Sequence, residues 1–505
     1  MELTLSLDPR SAKPLQAQVF DQVRELILEG QLQAGVALPP SRPFADRLKI
    51  SRNTVLGAYE RLVAEGYVRS RGTAGLFVEP IPPDALLLMQ RKHRPEETNG
   101  PVPDVSGVTL LCFAGSPGGG SDRPEIDFWV GRSDPAGFPL AIWRRIVVRL
   151  LGRETAYLTD YCDPAGLPEL RRAISTHLRR ARAVAVAEDQ VIVSTGAQDA
   201  LNLVFNLLKG HTRQLCIENP CYLGASLIFR NAGLEIHPIP VDGEGLRTDL
   251  LPKARASLLY VTPSHQFPTG STMPLTRRLD LLRWAEETDS YIVEDDYDSD
   301  FRYDGPPLTA LAGLDGGRRV FYVGTFSKSV GAGLRIGFAT VPRLFWDEAR
   351  MLKARMSNGQ AWLEQAALGT FIEEGHFDRH LRRLRQVYKA RRDCLVAALR
   401  RTFDEAIILG GESGLHLVWR FPSGFPSART IQTEARERGI GVYALSSGAA
   451  YDFDPGAPDD TLVFGYSSVS EEQIERAVRE LKLIVDDIRL RSLLSDLTPA
   501  SEPPP

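Results

Sequence analysis

Lys328 is the residue whose surroundings most clearly suggest chemistry. It lies in the Ser- and Gly-rich segment TFSKSVGAGLRIG, directly after the apolar run RVFYVG. An amine held in a turn at the end of a buried strand is well placed to form a Schiff base with a carbonyl compound. A solvated surface lysine is the alternative, and Lys328 alone does not decide between the two interpretations.

Two further segments carry side chains that would complete such a site. In IVEDDYDSDF an apolar run leads directly into acidic residues, where Asp295 is placed to pair with a protonated ring nitrogen and Tyr297 to hydrogen-bond a phenolic oxygen. In VIVSTGAQDALNLVFNLL the turn of Gly196, Ala197 and Gln198 opens a helix, whose free N–H groups and dipole favour a phosphate. Each segment also has a plainer interpretation: a solvated or cation-binding acidic face, and an ordinary loop.

Together the three segments provide an amine for an aldehyde, a carboxylate for a pyridinium nitrogen and a cradle for a phosphate. One cofactor requires all three groups, and it is pyridoxal 5′-phosphate (PLP). The prediction holds only if the three segments meet at one edge of a sheet, and the elements around them therefore matter.

The region from about residue 126 to 486 alternates helical stretches with short apolar runs, which predicts an α/β domain with a mixed, mostly parallel sheet. Ligands of such domains gather at the carboxyl ends of the strands, where Lys328, Asp295 and Gly196 all stand. The apolar runs are VIVSTG, RQLCIENP, EIHPIPV, SLLYVTP, SYIVEDDY, RVFYVGTFS and RIGFATV.

The first 80 residues predict a different kind of domain. PLQAQVFDQVRELILEG has apolar residues at helical spacing, and two short helices follow in SRPFADRLK and SRNTVLGAYERLVAEG, joined by about three residues. YVRSRGTAGLFVEP then indicates two brief strands around a glycine-containing turn. This order predicts a winged helix-turn-helix, whose second tightly joined helix enters the major groove of DNA.

Charge supports DNA as the partner of this head. The whole chain has a net charge of −4, yet residues 42–71 contain seven basic and three acidic residues. A solvated face or a protein-binding surface is the alternative. The side chains expected to contact bases or phosphates lie at the start of the third helix and on the wing. They are Arg42, Ser51, Arg52, Asn53, Thr54, Arg69 and Arg71.

Length and composition set the limits of these predictions. The 505 residues suggest roughly three domains. Five cysteines without a CxxC pair argue against a disulfide framework and a zinc site, and no other metal site is expected. The start of the chain, MELTLSLDPR, lacks the pattern of a signal peptide, and no apolar run is long enough for a membrane helix. We therefore expect a cytoplasmic protein.

The predicted domain boundaries follow from these patterns. Residues 1–80 form the winged helix-turn-helix, residues 81–125 a linker rich in Pro, Gly and charge, and residues 126–490 the α/β domain. Residues 491–505 are expected to be a disordered tail.

The head resembles the GntR-type winged-helix domain in its three helical segments and its wing, although GTAGLFV departs from the usual wing sequence. SHQFPTG, EDDYDSDF and TFSKSVGAGLRIG resemble the fold-type I aminotransferases. The full chain resembles the MocR family of bacterial regulators, in which such a head is fused to a domain of this type. The resemblance implies a head-to-tail homodimer that binds double-stranded operator DNA.

Site residues carry over from the resemblance position by position. It makes Lys328 the Schiff-base lysine and Asp295 the partner of the pyridine nitrogen, with Tyr297 at the ring hydroxyl. It also implies a phosphate site and an aromatic residue that stacks on the ring. The phosphate contacts are Thr325, Arg335, the turn of Gly196, Ala197 and Gln198, and Tyr161 reaching the neighbouring subunit's site; the stacking residue is Tyr222, for which core packing is the alternative.

Two positions depart from the aminotransferase pattern. Phe267 stands where an asparagine commonly touches the ring oxygen, and Val463 aligns with an arginine that in many members binds the substrate carboxylate. Both changes favour sensing over efficient transamination. His265 is a possible effector contact, with a structural or solvated role as the alternative.

The functional hypothesis is a PLP-dependent transcriptional regulator with at most weak transaminase activity. It would sense a small amine or amino-acid-like effector by exchange of the aldimine at Lys328. A functional aminotransferase with a fused accessory domain is one alternative. A sensor of PLP itself, without an amine effector, is another.

Overall fold

In a computed structural model of the chain, the described residues are 3, 5–11, 13–80, 123–152, 155–230, 235–305, 308–403, 406–422 and 424–497. The chain divides into two compact units, Met1–Leu110 and Leu111–Pro505. This division falls inside the predicted linker, of which residues 81–122 lie outside the described residues.

The first unit has the winged helix-turn-helix architecture that the sequence predicts. Three helices, α1 (Leu15–Leu28), α2 (Ser41–Leu48) and α3 (Arg52–Ala64), are followed by an antiparallel pair of strands, β1 (Val68–Ser70) and β2 (Leu76–Val78). The buried core consists of side chains from all three helices and from β1 and β2, such as Val19, Phe44, Val55, Val68 and Val78.

The tight connection between α2 and α3 has a local physical cause. Lys49 adopts a left-handed backbone conformation with φ of 55°, which ends α2. Two residues later the side chain of Ser51 accepts a hydrogen bond from the backbone N–H of Thr54 at 3.1 Å and caps α3. The predicted cap is therefore confirmed, and it fixes the direction in which α3 begins.

The second unit is built around an eight-stranded sheet with the strand order β4-β12-β11-β10-β9-β5-β7-β8. Its central strands β7, β5, β9, β10 and β11 are parallel, while β12 runs antiparallel to β11 and to β4. The predicted mixed, mostly parallel sheet is thus confirmed. Its strands are β4 (Val191–Ser194), β5 (Gln214–Asn219), β7 (Glu235–Asp242), β8 (Gly245–Leu246), β9 (Ser257–Val261), β10 (Tyr291–Asp296), β11 (Val320–Thr325) and β12 (Gly337–Thr340).

Helices cover both faces of this sheet, which explains why its strands are apolar throughout rather than alternating. On β9, Leu258 and Tyr260 pack into one buried cluster, whereas Leu259 and Val261 pack into the other. The helices of this unit before its last domain are α4 (Leu140–Leu151), α5 (Pro168–Arg182), α6 (Ala197–Leu208), α7 (Leu223–Arg230), α8 (Leu275–Glu287), α9 (Leu311–Asp315), α10 (Trp346–Ser357) and α11 (Trp362–Glu373).

The last part of the chain forms a smaller antiparallel sheet with the strand order β13-β14-β18-β16. These strands are β13 (Ile407–Leu409), β14 (His416–Arg420), β16 (Tyr443–Ala444) and β18 (Thr461–Gly465). Three helices, α12 (His376–Thr402), α13 (Ala428–Glu437) and α14 (Glu471–Leu497), accompany this sheet. Two-residue strands complete the unit: β3 (Ile126–Asp127) pairs with β15 (Ile440–Gly441), and β6 (Cys221–Tyr222) pairs with β17 (Ala450–Tyr451).

One predicted boundary is wrong. Helix α14 continues to Leu497, past residue 490 where we expected the disordered tail to begin. Arg491 contacts Glu434 at 2.9 Å and Asp487 at 3.9 Å, so ion pairs accompany the last turns of the helix. Residues 498–505, the rest of the predicted tail, lie outside the described residues.

Among the helices of the described residues, none combines the length and the apolar character needed to cross a bilayer.

Candidate cofactor site and DNA-binding surface

Parallel pairing brings the predicted cofactor residues to one edge of the large sheet. Asp295, near the end of β10, lies opposite Val323 of β11, and Lys328 follows the end of β11 by three residues. The turn at Gly196 follows β4, which β12 joins to β11. The three segments therefore meet at the carboxyl ends of the strands, as the sequence predicts.

Lys328 projects into the site from a short helical turn, Ser327–Gly331. Its amine donates a hydrogen bond to the carbonyl oxygen of Gly131 at 2.8 Å. Burial lowers the pKa of this amine, although the charges of Asp298 and Asp295 oppose the shift. A larger fraction of Lys328 is therefore neutral and nucleophilic than of an ordinary surface lysine.

Gly131 is a site residue that the sequence did not reveal. Its φ is +83°, and a Cβ at this position would overlap the amine of Lys328. Glycine is thus required by the backbone and by the lysine together. The only signal in the sequence is one glycine in the segment WVGRSDP, which looks like any loop glycine.

Asp295 is buried and only half satisfied. The hydroxyl of Tyr260 donates to its Oδ2 at 2.8 Å, while its Oδ1 has no hydrogen-bond partner among the described residues. Burial raises the pKa of this carboxyl to about 7, and the charge of Asp296 adds to the effect. A buried oxygen without a partner is costly, and a cationic N–H donor placed against it would remove that cost.

The opposite end of the site is suited to an anion. Arg335 donates from Nη2 to the carbonyl oxygen of Thr195 at 2.8 Å, which holds its guanidinium against the start of α6. Gly196 has a φ of +87°, and a Cβ there would lie 3.0 Å from Arg335 Nη2. The first turn of α6, from Ala197, presents N–H groups that have no partner within the helix.

Aromatic side chains form the walls between these two ends. Gln198 donates to the hydroxyl of Tyr222 at 3.0 Å, and the ring of Tyr222 stands edge-on to Phe267, with 6.0 Å between the ring centroids. Phe267 in turn stands edge-on to Tyr297, at 6.1 Å. Phe267, which replaces the asparagine of many aminotransferases, therefore fills part of the cavity wall with an apolar ring.

One cavity of about 160 Å³ joins these groups. Most of the predicted cofactor residues line it: Ala197, Gln198, Tyr222, Asp295, Tyr297, Thr325, Lys328 and Arg335. Tyr161 does not line it and is 84% exposed, so its predicted role at a neighbouring subunit's site stays a prediction. Tyr260 and Thr262 also line the cavity and were not predicted, because in SLLYVTP they look like ordinary strand residues.

The hydroxyl of Tyr297 is held from behind by a buried polar group. It donates to the backbone oxygen of His265 at 3.0 Å and lies 3.2 Å from the Nδ1 of that residue. His265 is buried, and its Nδ1 lies 2.9 Å from Asp298 Oδ2, with polar atoms of His416 close by. Of the roles considered for His265, the structure supports the structural one.

The predicted DNA-contacting residues form an exposed surface on the first unit. Arg42, Arg52 and Asn53 are exposed, and Arg52 Nε lies 3.4 Å from Ser41 Oγ. Ser51 and Thr54 are hydrogen-bonded to each other in the cap of α3, so part of their polar capacity is already used.

Two acceptors on the wing were not foreseen. Glu79 forms an ion pair with Arg69, with 3.1 Å between Arg69 Nη2 and Glu79 Oε2. The guanidinium of Arg71 lies over the ring of Phe77, 4.8 Å from the centroid. Both arginines remain exposed, but the charge that Arg69 offers is partly compensated.

The residues of the cavity fit PLP. Asp295 Oδ1 needs a donor such as a pyridinium N–H, the glycine turn with Arg335 suits a phosphate, and Lys328 is placed for an aldehyde. The fold and this cavity define an aminotransferase-like, PLP-binding domain of fold type I.

Comparison with known proteins agrees and extends this assignment to the whole chain. The model of the aminotransferase class I and II family matches residues 144–481, more than half of the chain, and that of the gntR family of bacterial regulatory proteins matches residues 15–78. The chain is 34% identical to the "Probable rhizopine catabolism regulatory protein MocR" of Rhizobium meliloti, over 95% of both chains. It is therefore a member of the MocR family of transcriptional regulators.

Two further similarities bear on function. The chain is 30% identical to the "HTH-type pyridoxine biosynthesis transcriptional regulator PdxR" of Corynebacterium glutamicum, over 95% of this chain and 98% of that one. A solved structure of the α-aminoadipate aminotransferase LysN from Thermus thermophilus, complexed with N-(5′-phosphopyridoxyl)-L-leucine, matches with a TM-score of 0.65 and 27% identity. That match covers 72% of this chain and 92% of LysN.

Proposed function

We propose that this regulator senses a small amine or amino-acid-like effector through reversible carbonyl–amine chemistry at Lys328, and that it answers by a change in operator binding. The observation that carries the proposal is the single cavity in which the lysine amine, the unsatisfied carboxylate of Asp295 and the anion site at Arg335 converge. When bound, PLP supplies an aldehyde that reacts reversibly with primary amines.

The residues of the chain divide the work of holding and reacting. Arg335 and the turn at Gly196 bind the phosphate, and Asp295 accepts a hydrogen bond from the ring nitrogen. Lys328 competes with an incoming amine for the same carbonyl carbon, and its lowered pKa keeps part of it neutral for that competition. Tyr222 and Phe267 exclude water from the ring.

Two residues favour sensing over rapid turnover. Val463, on β18, lies in the position where many aminotransferases carry a carboxylate-binding arginine, and it is buried beside a small cavity that Phe267 also lines. An apolar side chain there gives an α-carboxylate no fixed positive partner. The bound effector is therefore retained by its amine more than by its carboxylate.

DNA binding is assigned to the surface around the start of α3. Arg52 and Asn53 are placed to reach base edges, whereas Arg42, Arg69 and Arg71 are placed for phosphates. We further propose a head-to-tail homodimer in which the exposed Tyr161 of one subunit reaches the phosphate site of the other.

The decisive experiment measures operator affinity by fluorescence anisotropy, with and without PLP and across a panel of amines. Reciprocal linkage between two sites is commonly worth about 1 to 3 kcal/mol, so we expect a change in affinity of roughly 5- to 150-fold. Lys328→Ala should lose the amine-dependent part while keeping operator binding. Identical curves under every condition would reject the sensor.

A second candidate is sensing of PLP itself, which the similarity to PdxR favours. In that case PLP alone changes operator affinity and no amine adds to the effect. A functional aminotransferase is the third possibility, and steady-state assays with amino-donor panels distinguish it, because robust multiple turnover is expected only of an enzyme.

A further inference from the structure

A second cavity of about 340 Å³ lies in the same unit as the PLP site and shares no lining residue with it. It is bounded by the end of α5, the segment around Asp300 and Arg302, and the first half of α12. Its volume is in the range of small-molecule sites. Five arginines line it, against two aspartates: Arg180, Arg182, Arg302, Arg382 and Arg385, with Asp300 and Asp378.

Two of these arginines are already neutralised. Arg180 binds both carboxylate oxygens of Asp378, at 2.9 and 2.8 Å, and Arg182 donates to Asp296 at 2.8 Å. The remaining aspartate, Asp300, lies 3.2 Å from His177 Nε2. The acidic groups at the cavity therefore have partners of their own, and they do not balance the other three arginines.

Arg302 is the least satisfied of these three. Its Nε and Nη1 are shielded from solvent and have no hydrogen-bond partner among the described residues. Arg382 and Arg385 lie one turn apart on α12 and so present their charges to the same side. Within the described part of the chain neither forms an ion pair, although Arg385 donates to the backbone oxygen of Asp300 at 2.5 Å.

The surroundings show the same excess of positive charge. Burial lowers the pKa of the nearby Arg278, and the charges of Arg182 and Arg302 lower it further. A shielded guanidinium beside other cations is costly unless an anion neutralises it. A planar fork of N–H donors matches the oxygens of a phosphate group.

We propose that this cavity is a second ligand site, which binds the phosphate group of a small molecule through Arg302, Arg382 and Arg385. The site goes beyond the proposed function, because it requires no chemistry at Lys328. A narrow cavity lined by His177, Arg182, Asp300, Tyr297 and Lys328 lies between it and the PLP site. A phosphate at the second site is thus placed to influence the wall of the first.

The test uses the full chain saturated with PLP, so that added phosphate cannot report on the anion site at Arg335. Binding of inorganic phosphate, pyrophosphate, glycerol 3-phosphate and adenosine monophosphate is measured by calorimetry at constant ionic strength, with succinate as a dicarboxylate. We expect at least one phosphate compound to bind, and Arg302→Gln combined with Arg385→Gln to weaken that binding at least tenfold. A preference between inorganic phosphate and the esters identifies the source of the group.

Arg400→Gln is the matched control, since it makes the same change on an exposed residue of α12. Its position is 15 residues beyond Arg385, about 22 Å along the helix. Should the double variant fail to retain PLP or its circular dichroism spectrum, the exposed Arg382→Gln replaces it, with an expected loss of at least threefold. Equal binding by the variant and the control, or no binding of any phosphate compound, overturns the proposal. So does a variant that loses only operator DNA affinity, because the cavity would then contact the DNA backbone.

Discussion

Lys328 and Asp295 show how two ordinary residue types become unusual through burial. Each lies where the sheet ends, and each would be fully charged at neutral pH in water. Burial lowers the pKa of the lysine and raises that of the aspartate to about 7. Both shifts favour the neutral forms, which a cationic ring nitrogen and a reactive aldehyde would exploit in opposite ways.

The first prediction at this scale concerns Lys328. Purified protein should be yellow, and Lys328→Ala should lose the covalent cofactor adduct that borohydride traps in the wild type, because no other described amine lines the cavity. Absorbance and intact-protein mass spectrometry measure the adduct. Lys389→Ala, on the exposed side of α12, is the control and should keep it. An undiminished adduct in the Lys328 variant would falsify the assignment.

The second prediction concerns the pH dependence that Asp295 gives the protein without PLP. Its pKa rises from an ordinary 3.8 to about 7 on folding, so its protonated form stabilises the fold at low pH. This contribution is lost as the pH rises from about 4 through about 7. Asp295→Asn keeps the neutral form at every pH, so its melting temperature should increase relative to wild type between pH 5 and pH 8.

Thermal unfolding of the PLP-free proteins at both pH values measures this difference. Asp378→Asn, in a solvent-accessible ion pair with Arg180, is the control and should not reproduce the trend. A pH-independent difference between wild type and Asp295→Asn would contradict the assigned pKa. In the presence of PLP, the same variant should retain the cofactor less well.

At the scale of elements, the start of α3 combines a structural and a recognition role in neighbouring residues. Ser51 uses its side chain for the helix cap, whereas Arg52 and Asn53 point into solvent. The sequence predicted all three as DNA contacts. The structure separates them, because a hydroxyl that accepts from Thr54 has less capacity for a phosphate.

Ser51→Ala should therefore act mainly through stability. Loss of an N-cap typically costs about 0.5 to 2 kcal/mol, and here it should appear as faster amide exchange in residues 52–64. Hydrogen–deuterium exchange with mass spectrometry measures this on the full chain. Ser70→Ala, an exposed serine on the wing, should leave exchange in α3 unchanged. Equal protection in both variants would show that the cap contributes nothing.

Arg52→Ala should show the complementary behaviour. We expect it to lose about 1 to 3 kcal/mol of operator affinity, since an exposed arginine in the first turn of a recognition helix contacts bases or phosphates. PLP retention and exchange in α3 should not change. Gel-shift titration with operator DNA gives the affinity, and an affinity equal to wild type means that Arg52 points away from DNA.

At the scale of the whole molecule, the two units have separate hydrophobic cores. Each core is continuous within its own unit, which is what allows a DNA-binding head and a cofactor domain to be joined in one chain. The functional connection between them must therefore come from dimerisation, from the linker at residues 81–125, or from both.

Residues 1–80 alone should bind operator DNA far more weakly than the full chain. Two heads tethered in one dimer gain from effective concentration, which commonly raises affinity by about 10²- to 10⁴-fold. Fluorescence anisotropy with one-half-site and two-half-site DNA measures the difference. Fusion of residues 1–80 to an unrelated dimer should restore part of the affinity. Equal affinity of the isolated head and the full chain would contradict a dimeric mode of binding.

The sequence alone was sufficient for the two domains, the strand-end positions of Lys328, Asp295 and Gly196, and the cap at Ser51. These features depend on local periodicity, turn residues and short motifs, all of which are written along the chain. The end of α14 was misjudged, because Arg491 finds its ion-pair partner Glu434 more than fifty residues earlier in the sequence.

Only the tertiary structure revealed the contacts that complete the two sites. Gly131 meets Lys328 across almost 200 residues, Tyr260 donates to Asp295 from a neighbouring strand, and Glu79 pairs with Arg69 across the wing. The arginine-lined cavity joins residues of α5, α12 and the segment after β10. Such contacts depend on the packing of distant elements, and no local pattern of residues encodes which partner will lie within hydrogen-bonding distance.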